Sequence, residues 1–150
     1  MKAFIYVILV VLLSACSHKN TLTYEERDNA YRQYINDNSL ESSKRINSFR
    51  FDGWQSLTRT FLIISTNFKR KYLIEVRQNC NNLAFAQSLV LNQSTGSSLH
   101  ARLDSISTLS EPNSSCRIQT IYPLTVEQAK EIATIGFPND DEVAETNADK

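Results

Sequence analysis

The sequence predicts an α+β domain, mainly β: a small antiparallel curled sheet or barrel of about six or seven strands, flanked by an N-terminal and a C-terminal helix. Three observations carry this expectation. Between Arg45 and Tyr122, short β-branched and aromatic runs alternate with brief turn-rich connections, the pattern of antiparallel strands. Ahead of that region Thr23-Tyr24-Glu25-Glu26 spells a capping box, with a hydroxyl at the N-cap and a carboxylate three positions on. Behind it, Thr125 and Gln128 spell a second.

Taken in order, the chain opens on Met1-Lys2 and an apolar run, Ala3–Leu13. The run is shorter than the roughly 17–25 residues a membrane-spanning helix needs, and it fits the apolar region of a secretory signal peptide. Leu13-Ser14-Ala15-Cys16 follows, the lipobox order of a branched apolar residue, two small residues and a cysteine. The Cys16 thiol takes a diacylglycerol, and small side chains let a membrane peptidase reach the backbone between Ala15 and Cys16. The freed amino group is then open to acylation, and two or more chains hold a protein stably on a membrane where a single chain does not. Residues 1–15 are therefore expected to be a lipoprotein signal peptide, with Cys16 as the lipidation site. The alternatives are an ordinary secreted protein or a hydrophobic core segment that happens to end in cysteine. Ser17, where an aspartate would favour retention in the inner membrane, points to the outer membrane of a bacterial envelope, with the domain facing the periplasm.

Residues 16–22 form the lipidated cysteine and a tether that spans at most ~20 Å when extended. A single globular domain is expected over residues 23–137. Its first helix runs to about Asp37 and brings Tyr24, Tyr31, Tyr34 and Ile35 near one face. Ile46–Phe51 reads as a strand with Phe49 and Phe51 at period two, and Asp52-Gly53 as a tight turn. Arg59–Thr66 suits a buried strand, Asn67–Arg70 a turn, and Lys71–Arg77 a strand alternating Tyr72, Ile74 and Val76 with its other side chains. After one helical turn at Asn81–Ala86, strands are expected at Ser88–Asn92 and Leu99–Leu103, joined by a hairpin loop at Ser94–Ser97. Ser105–Leu109 is a further strand, Ser110–Ser115 a turn-rich connection and Arg117–Tyr122 the last strand. The second helix reaches about Ile135. Residues 138–150 are acidic, lack aromatics and are expected to be disordered.

The 150 residues carry 16 basic and 16 acidic side chains. Removing residues 1–15 leaves about 135 residues, the size of one small domain, and a net charge near −1. Without a basic field, binding driven by nucleic-acid phosphates is excluded as the main activity. Cys80 and Cys116 remain once Cys16 is assigned, and in an oxidising compartment an even remainder of two reads as one structural disulfide. A redox-active or metal-binding pair is the alternative, unsupported by a C-x-x-C spacing or a companion histidine cluster. No cofactor and no metal site are expected.

His100, Arg102 and Asp104 alternate, so a strand would turn them to one face. A histidine beside a carboxylate suits acid–base work, but no nucleophile or second base accompanies it. A solvated face with an Arg102–Asp104 ion pair is the plainer reading. Phe49, Phe51, Trp54 and Tyr72 suit either core packing or a groove with Arg50 or Arg102 at its rim, and core packing is the commoner fate of such aromatics. Trp54, Arg102 and Asp104 are the candidate ligand-facing residues. Phe68-Lys69-Arg70-Lys71 reads as a charged turn that keeps a hairpin soluble, or as a contact for anionic lipid headgroups or glycolipid phosphates.

Several stretches together resemble an uncharacterised family, a domain of unknown function, of small bacterial exported proteins and lipoproteins. They are Phe49–Trp54, Tyr72–Val76, Cys80 with Leu83–Ala86, Ala101–Asp104, and Cys116–Ile118 leading to Ile121–Leu124. Leu103 departs from the aromatic common at its position. The resemblance implies one compact domain and a Cys80–Cys116 bridge, and it brings no catalytic residues. The resulting expectation is a membrane-anchored envelope lipoprotein with a non-enzymatic binding or structural role. Its partner is the membrane through Cys16, together with an envelope protein or glycolipid. The alternatives are a small envelope hydrolase using His100 and Asp104, or an inhibitor of an enzyme that attacks the envelope.

Overall fold

The computed structural model describes residues 21–77 and 80–137. The expected signal peptide, the cleavage at Ala15–Cys16, Cys16 itself and the acidic tail lie outside the described residues. Both capping boxes form. The Thr23 hydroxyl accepts from the Glu26 amide at 3.3 Å while the Glu26 carboxylate accepts from the Thr23 amide at 2.8 Å, opening helix α1 (Tyr24–Asp37). The same exchange between Thr125 and Gln128 opens α2 (Val126–Thr134). Just past the end of α2, Gly136 takes a φ of +82°, the left-handed conformation in which a helix is commonly terminated and which glycine adopts without strain.

Eight strands lie between the helices: β1 (Arg45–Asn47), β2 (Gly53–Ser56), β3 (Phe61–Ser65), β4 (Lys71–Val76), β5 (Leu89–Asn92), β6 (Ser98–His100), β7 (Ser105–Thr108) and β8 (Glu111–Leu124). A single 3-10 turn at Leu83–Phe85 precedes β5. Six strands form one antiparallel sheet in the order β2-β3-β4-β8-β7-β5, curled into a half-barrel, and β1 pairs with β6 in a second, two-stranded sheet. The long β8 pairs with β4 at one end and with β7 at the other, with register shifts at Glu75/Val76 and Ile106/Thr108. Such irregularities bend a sheet and increase its twist.

Alternation along the central strands divides the core between two faces. Leu62, Ile74 and Ile121 stand in register across β3, β4 and β8 and pack, fully buried, with Ile46 of β1 and Leu99 of β6. Ile63 and Leu73 point the other way, where Phe61 and Leu124 join them against Tyr31 and Ile35 of α1 and Ala129 and Ile132 of α2. With both faces covered, every residue of β3 is buried, which is why Phe61–Ile64 reads as an unbroken apolar run rather than an alternating one. Tyr34 ties the helices together by donating its hydroxyl to Glu131. Burial first, then that carboxylate partner, pushes the Tyr34 pKa up to about 12. Cys80 and Cys116 are joined in a disulfide with a Cα–Cα distance of 5.9 Å.

Four local expectations need correction. Asp52-Gly53 is not a tight turn: the Asp52 amide donates to Ser65 O and Gly53 pairs with Ser65, so the β2–β3 ladder begins there. Ser48, with φ +49°, ends β1 instead, and Phe49 turns into the core while Phe51 is exposed. β5 and β6 do not form a hairpin, since β5 pairs with β7 and β6 crosses to β1. The turn-rich Ser110–Ser115 is largely strand, because β8 starts at Glu111 and only Leu109-Ser110 turns. Its polar composition reflects exposure, every residue from Glu111 to Ser115 being exposed. Lastly, Leu99–Leu103 stops being strand at His100, and residues 101–103 are a turn.

Candidate functional site

That turn decides the fate of His100, Arg102 and Asp104. Arg102 has a φ of +68°, which folds the chain back so that the three side chains do not share a strand face. Arg102 is exposed and forms no ion pair with Asp104. Asp104, 0 % exposed, points inward, where its carboxylate accepts from the Ser94 amide at 2.7 Å and the His100 amide at 2.6 Å. His100 Nδ1 lies 3.5 Å from Asp104 Oδ2 but makes no hydrogen bond among the described residues. Burial alone would raise the Asp104 pKa; the hydrogen bonds from Ser94 and His100 outweigh it and hold the carboxyl below the usual carboxylate range. Both carboxylate oxygens are therefore engaged, one with the β5–β6 connection at Ser94 and one with the end of β6 at His100.

The aromatic set divides as well. Phe49 is core, Phe51 faces solvent and Tyr72 packs at the edge of the first core. Trp54 is half-buried: it pairs with Ile64 and packs against the first core, and at the edge of the sheet it also borders a groove of ≈ 470 Å³ between α2 and the β2–β3 hairpin. Ile63, Val126, Ala129 and Ala133 contribute apolar lining to it. Ala129 and Ala133 stand one helical turn apart, so their small side chains leave room that larger ones would fill. Phe68, Lys71 and Lys130 also line the groove. The turn that presents Phe68 is built by Asn67, whose side-chain oxygen accepts from the Lys69 and Arg70 amides at 2.9 and 2.8 Å. Phe68 is exposed, with Lys69 Nζ 5.4 Å from its ring centroid, and Lys71 Nζ donates to Ser65 Oγ at 2.8 Å. An apolar floor, the exposed Phe68 at the rim and two ammonium groups suit an elongated apolar ligand with a negative head.

Of the residues singled out from sequence, only Trp54 and the basic turn meet at this groove; Arg102 and Asp104 lie elsewhere. The contribution of α2 was missed, and its only sequence signal is the pair of alanines four apart beside Lys130. A smaller cavity of ≈ 80 Å³ lies beside the disulfide, lined in part by Leu83, Ile106, Ser107 and Thr108. Among the described residues no group of three His, Cys, Asp or Glu side chains is placed to hold a metal ion, and no helix is long and apolar enough to cross a membrane.

Fold and groove together define a small disulfide-stapled α+β domain: a curled antiparallel sheet with both helices on one face and a two-stranded sheet on the other. The chain belongs to a family of unknown function, DUF6491, whose model matches residues 1–134. No curated protein and no solved structure matches it.

Proposed function

We propose that this protein is an envelope lipoprotein, anchored through Cys16 in the outer membrane, whose domain binds an anionic amphiphile without transforming it. The ligand class is an acyl chain bearing a phosphate or carboxylate head, as in a glycolipid. The observation that carries this reading is the groove at Trp54, with its apolar floor and the lysines Lys71 and Lys130. The anchor is supported by the order Leu13-Ser14-Ala15-Cys16 behind a short apolar run. The hydrolase reading is weakened by Asp104, whose carboxylate is occupied by two backbone amides.

Trp54 is the chain's one tryptophan and borders the groove, so its fluorescence is the probe. Titration with a single-chain lysophospholipid bearing a phosphate head should give a saturable change, and a neutral monoacylglycerol a weaker one. Combining Lys71→Glu with Lys130→Glu should weaken the phosphate-headed ligand by about tenfold or more, the loss of one or two charge-assisted contacts. Equal affinity for both ligands, or no saturable response, would end this reading of the groove. The anchor is checked separately: Cys16→Ser should abolish labelling by palmitate and release the protein from membranes, and an unlabelled wild-type chain would refute it.

A further inference from the structure

Several exposed apolar side chains gather at one end of the domain. Phe85 and Leu109 are 68 % and 67 % exposed, and Leu22 and Phe137 are exposed as well. Contacts link them. The Leu22 amide donates to Gly136 O at 3.3 Å, next to Phe137, whose ring lies 4.3 Å from the Arg27 guanidinium in the first turns of α1. Tyr24, which opens α1, meets Phe85 edge to face with ring centroids 6.2 Å apart. Phe85 and Leu109 line one shallow depression. From the β2–β3 turn, Arg59 reaches to 5.6 Å of the Tyr24 ring.

We infer that this end of the domain is seated on the lipid surface that holds Cys16. The inference rests on the anchored reading above and adds which part of the domain meets the bilayer. The chain enters the domain here: Leu22 follows Cys16 by six residues, a span of at most ~20 Å. Phe85, Leu109, Phe137 and Leu22 would enter the headgroup boundary, where apolar side chains leave water while the flanking polar groups stay wet. Glu25 and Glu26 at the start of α1 offset Arg59, so the contact is apolar in origin and insensitive to salt. The basic turn at Phe68–Lys71 lies at the other end of the sheet. Lys71 pairs with Leu124 where α2 is about to begin, whereas Leu22 meets Gly136 where α2 has ended. The basic turn thus points away from the anchoring leaflet.

The test uses the full lipidated protein in vesicles of phosphatidylethanolamine and phosphatidylglycerol, with or without brominated acyl chains. In a Trp54→Phe background, Phe85→Trp and Leu109→Trp each place a single reporter at the tether end, and Phe51→Trp, outside the groove and next to Asp52 whose amide donates to Ser65 O, places one at the far end. All three positions are exposed, so the larger ring is accommodated. Tether-end reporters should shift to the blue and lose intensity in brominated vesicles, equally at low and high salt, while the Phe51→Trp reporter should do neither. Unquenched tether-end reporters on protein that sediments with the vesicles would overturn the inference, as would quenching confined to Phe51→Trp. If the protein does not sediment with the vesicles at all, the anchored reading fails, and this inference falls with it.

Discussion

Replacing Asp104 by alanine removes the acceptor for two backbone amides at once. Hydrogen bonds to a charged group are worth about 1.5–3 kcal/mol each. The His100 bond lies in a half-buried site and counts nearly in full, whereas Ser94 is exposed and its amide can turn to water. The expected cost is therefore about 2–4 kcal/mol, a large share of the ~5–15 kcal/mol typical of a small domain. Asp104→Asn keeps the shape and one acceptor oxygen, and should lose about 1–2 kcal/mol. His100→Ala should lose less than about 1 kcal/mol, because its ring contributes only a weak charge contact at 3.5 Å. Urea unfolding of the oxidised protein, followed by Trp54 fluorescence, measures all three. The pH dependence has a definite sign. The folded state holds the Asp104 pKa below its ordinary value of 3.8, so the stability it contributes is present above that value and is lost as pH falls through the lowered one. Asp104→Asn should flatten that acid limb. An Asp104→Ala protein within about 0.5 kcal/mol of wild type, below the effect of even one such bond, would refute the structural role. It would also reopen the carboxylate to a chemical one.

Two further outcomes follow from the backbone and the bridge. The Cys80–Cys116 disulfide closes a sequence separation of 36, for which the chain-entropy relation gives about 3–4 kcal/mol. The paired substitution Cys80→Ser with Cys116→Ser should lower unfolding stability by that amount, and non-reducing peptide mapping should find the two residues joined; free thiols at both positions would count against the bridge. Gly136→Ala should cost about 1–2 kcal/mol through its left-handed backbone alone, and more because the new Cβ would sit 2.7 Å from Arg27 Cγ. Gly53→Ala, with nothing within 4 Å of its new Cβ, is the matched control and should move the thermal midpoint little.

The helices were legible because a capping box is a local exchange, decided by two residues three apart and independent of what packs later. The sequence was equally clear about β3 and β4, whose apolar content survives in any arrangement that covers both faces. Strand partnership was not legible. Ser94–Ser97 has the composition of a hairpin loop and does turn the chain, the Ser98 amide donating to Thr95 O, yet β5 and β6 take different partners, β7 and β1. Asp104 fixes that connection through the Ser94 and His100 amides, and nothing in the local composition announces either partner. Period two also misplaced Phe51, since alternation holds only within a paired strand and β1 ends at Asn47, before either phenylalanine. Polarity at Ser110–Ser115 does not tell a turn from a strand, because a strand whose residues face solvent selects the same residues. The groove was half legible: Trp54 and the basic turn stood out, but the space itself exists because α2 presents alanines to the sheet, and a missing side chain leaves no mark in a sequence.

The length of β8 has a consequence for how the domain assembles. A polypeptide is made from its N-terminus, and the β2–β3–β4 meander can pair within itself as soon as it appears. The strand that closes the outer edge of β4 is β8, made only after the whole of β5, β6 and β7. Until then β4 presents unpaired amides and carbonyls beside Leu73 and Ile74, an edge of the kind that recruits other chains. The β7–β8 and β4–β8 pairings are completed by the same late segment, so the two halves of the sheet gain their common border together. During synthesis the period of greatest exposure to misassembly is thus the interval between β4 and β8, and a chain halted within it holds a meander with no neighbour.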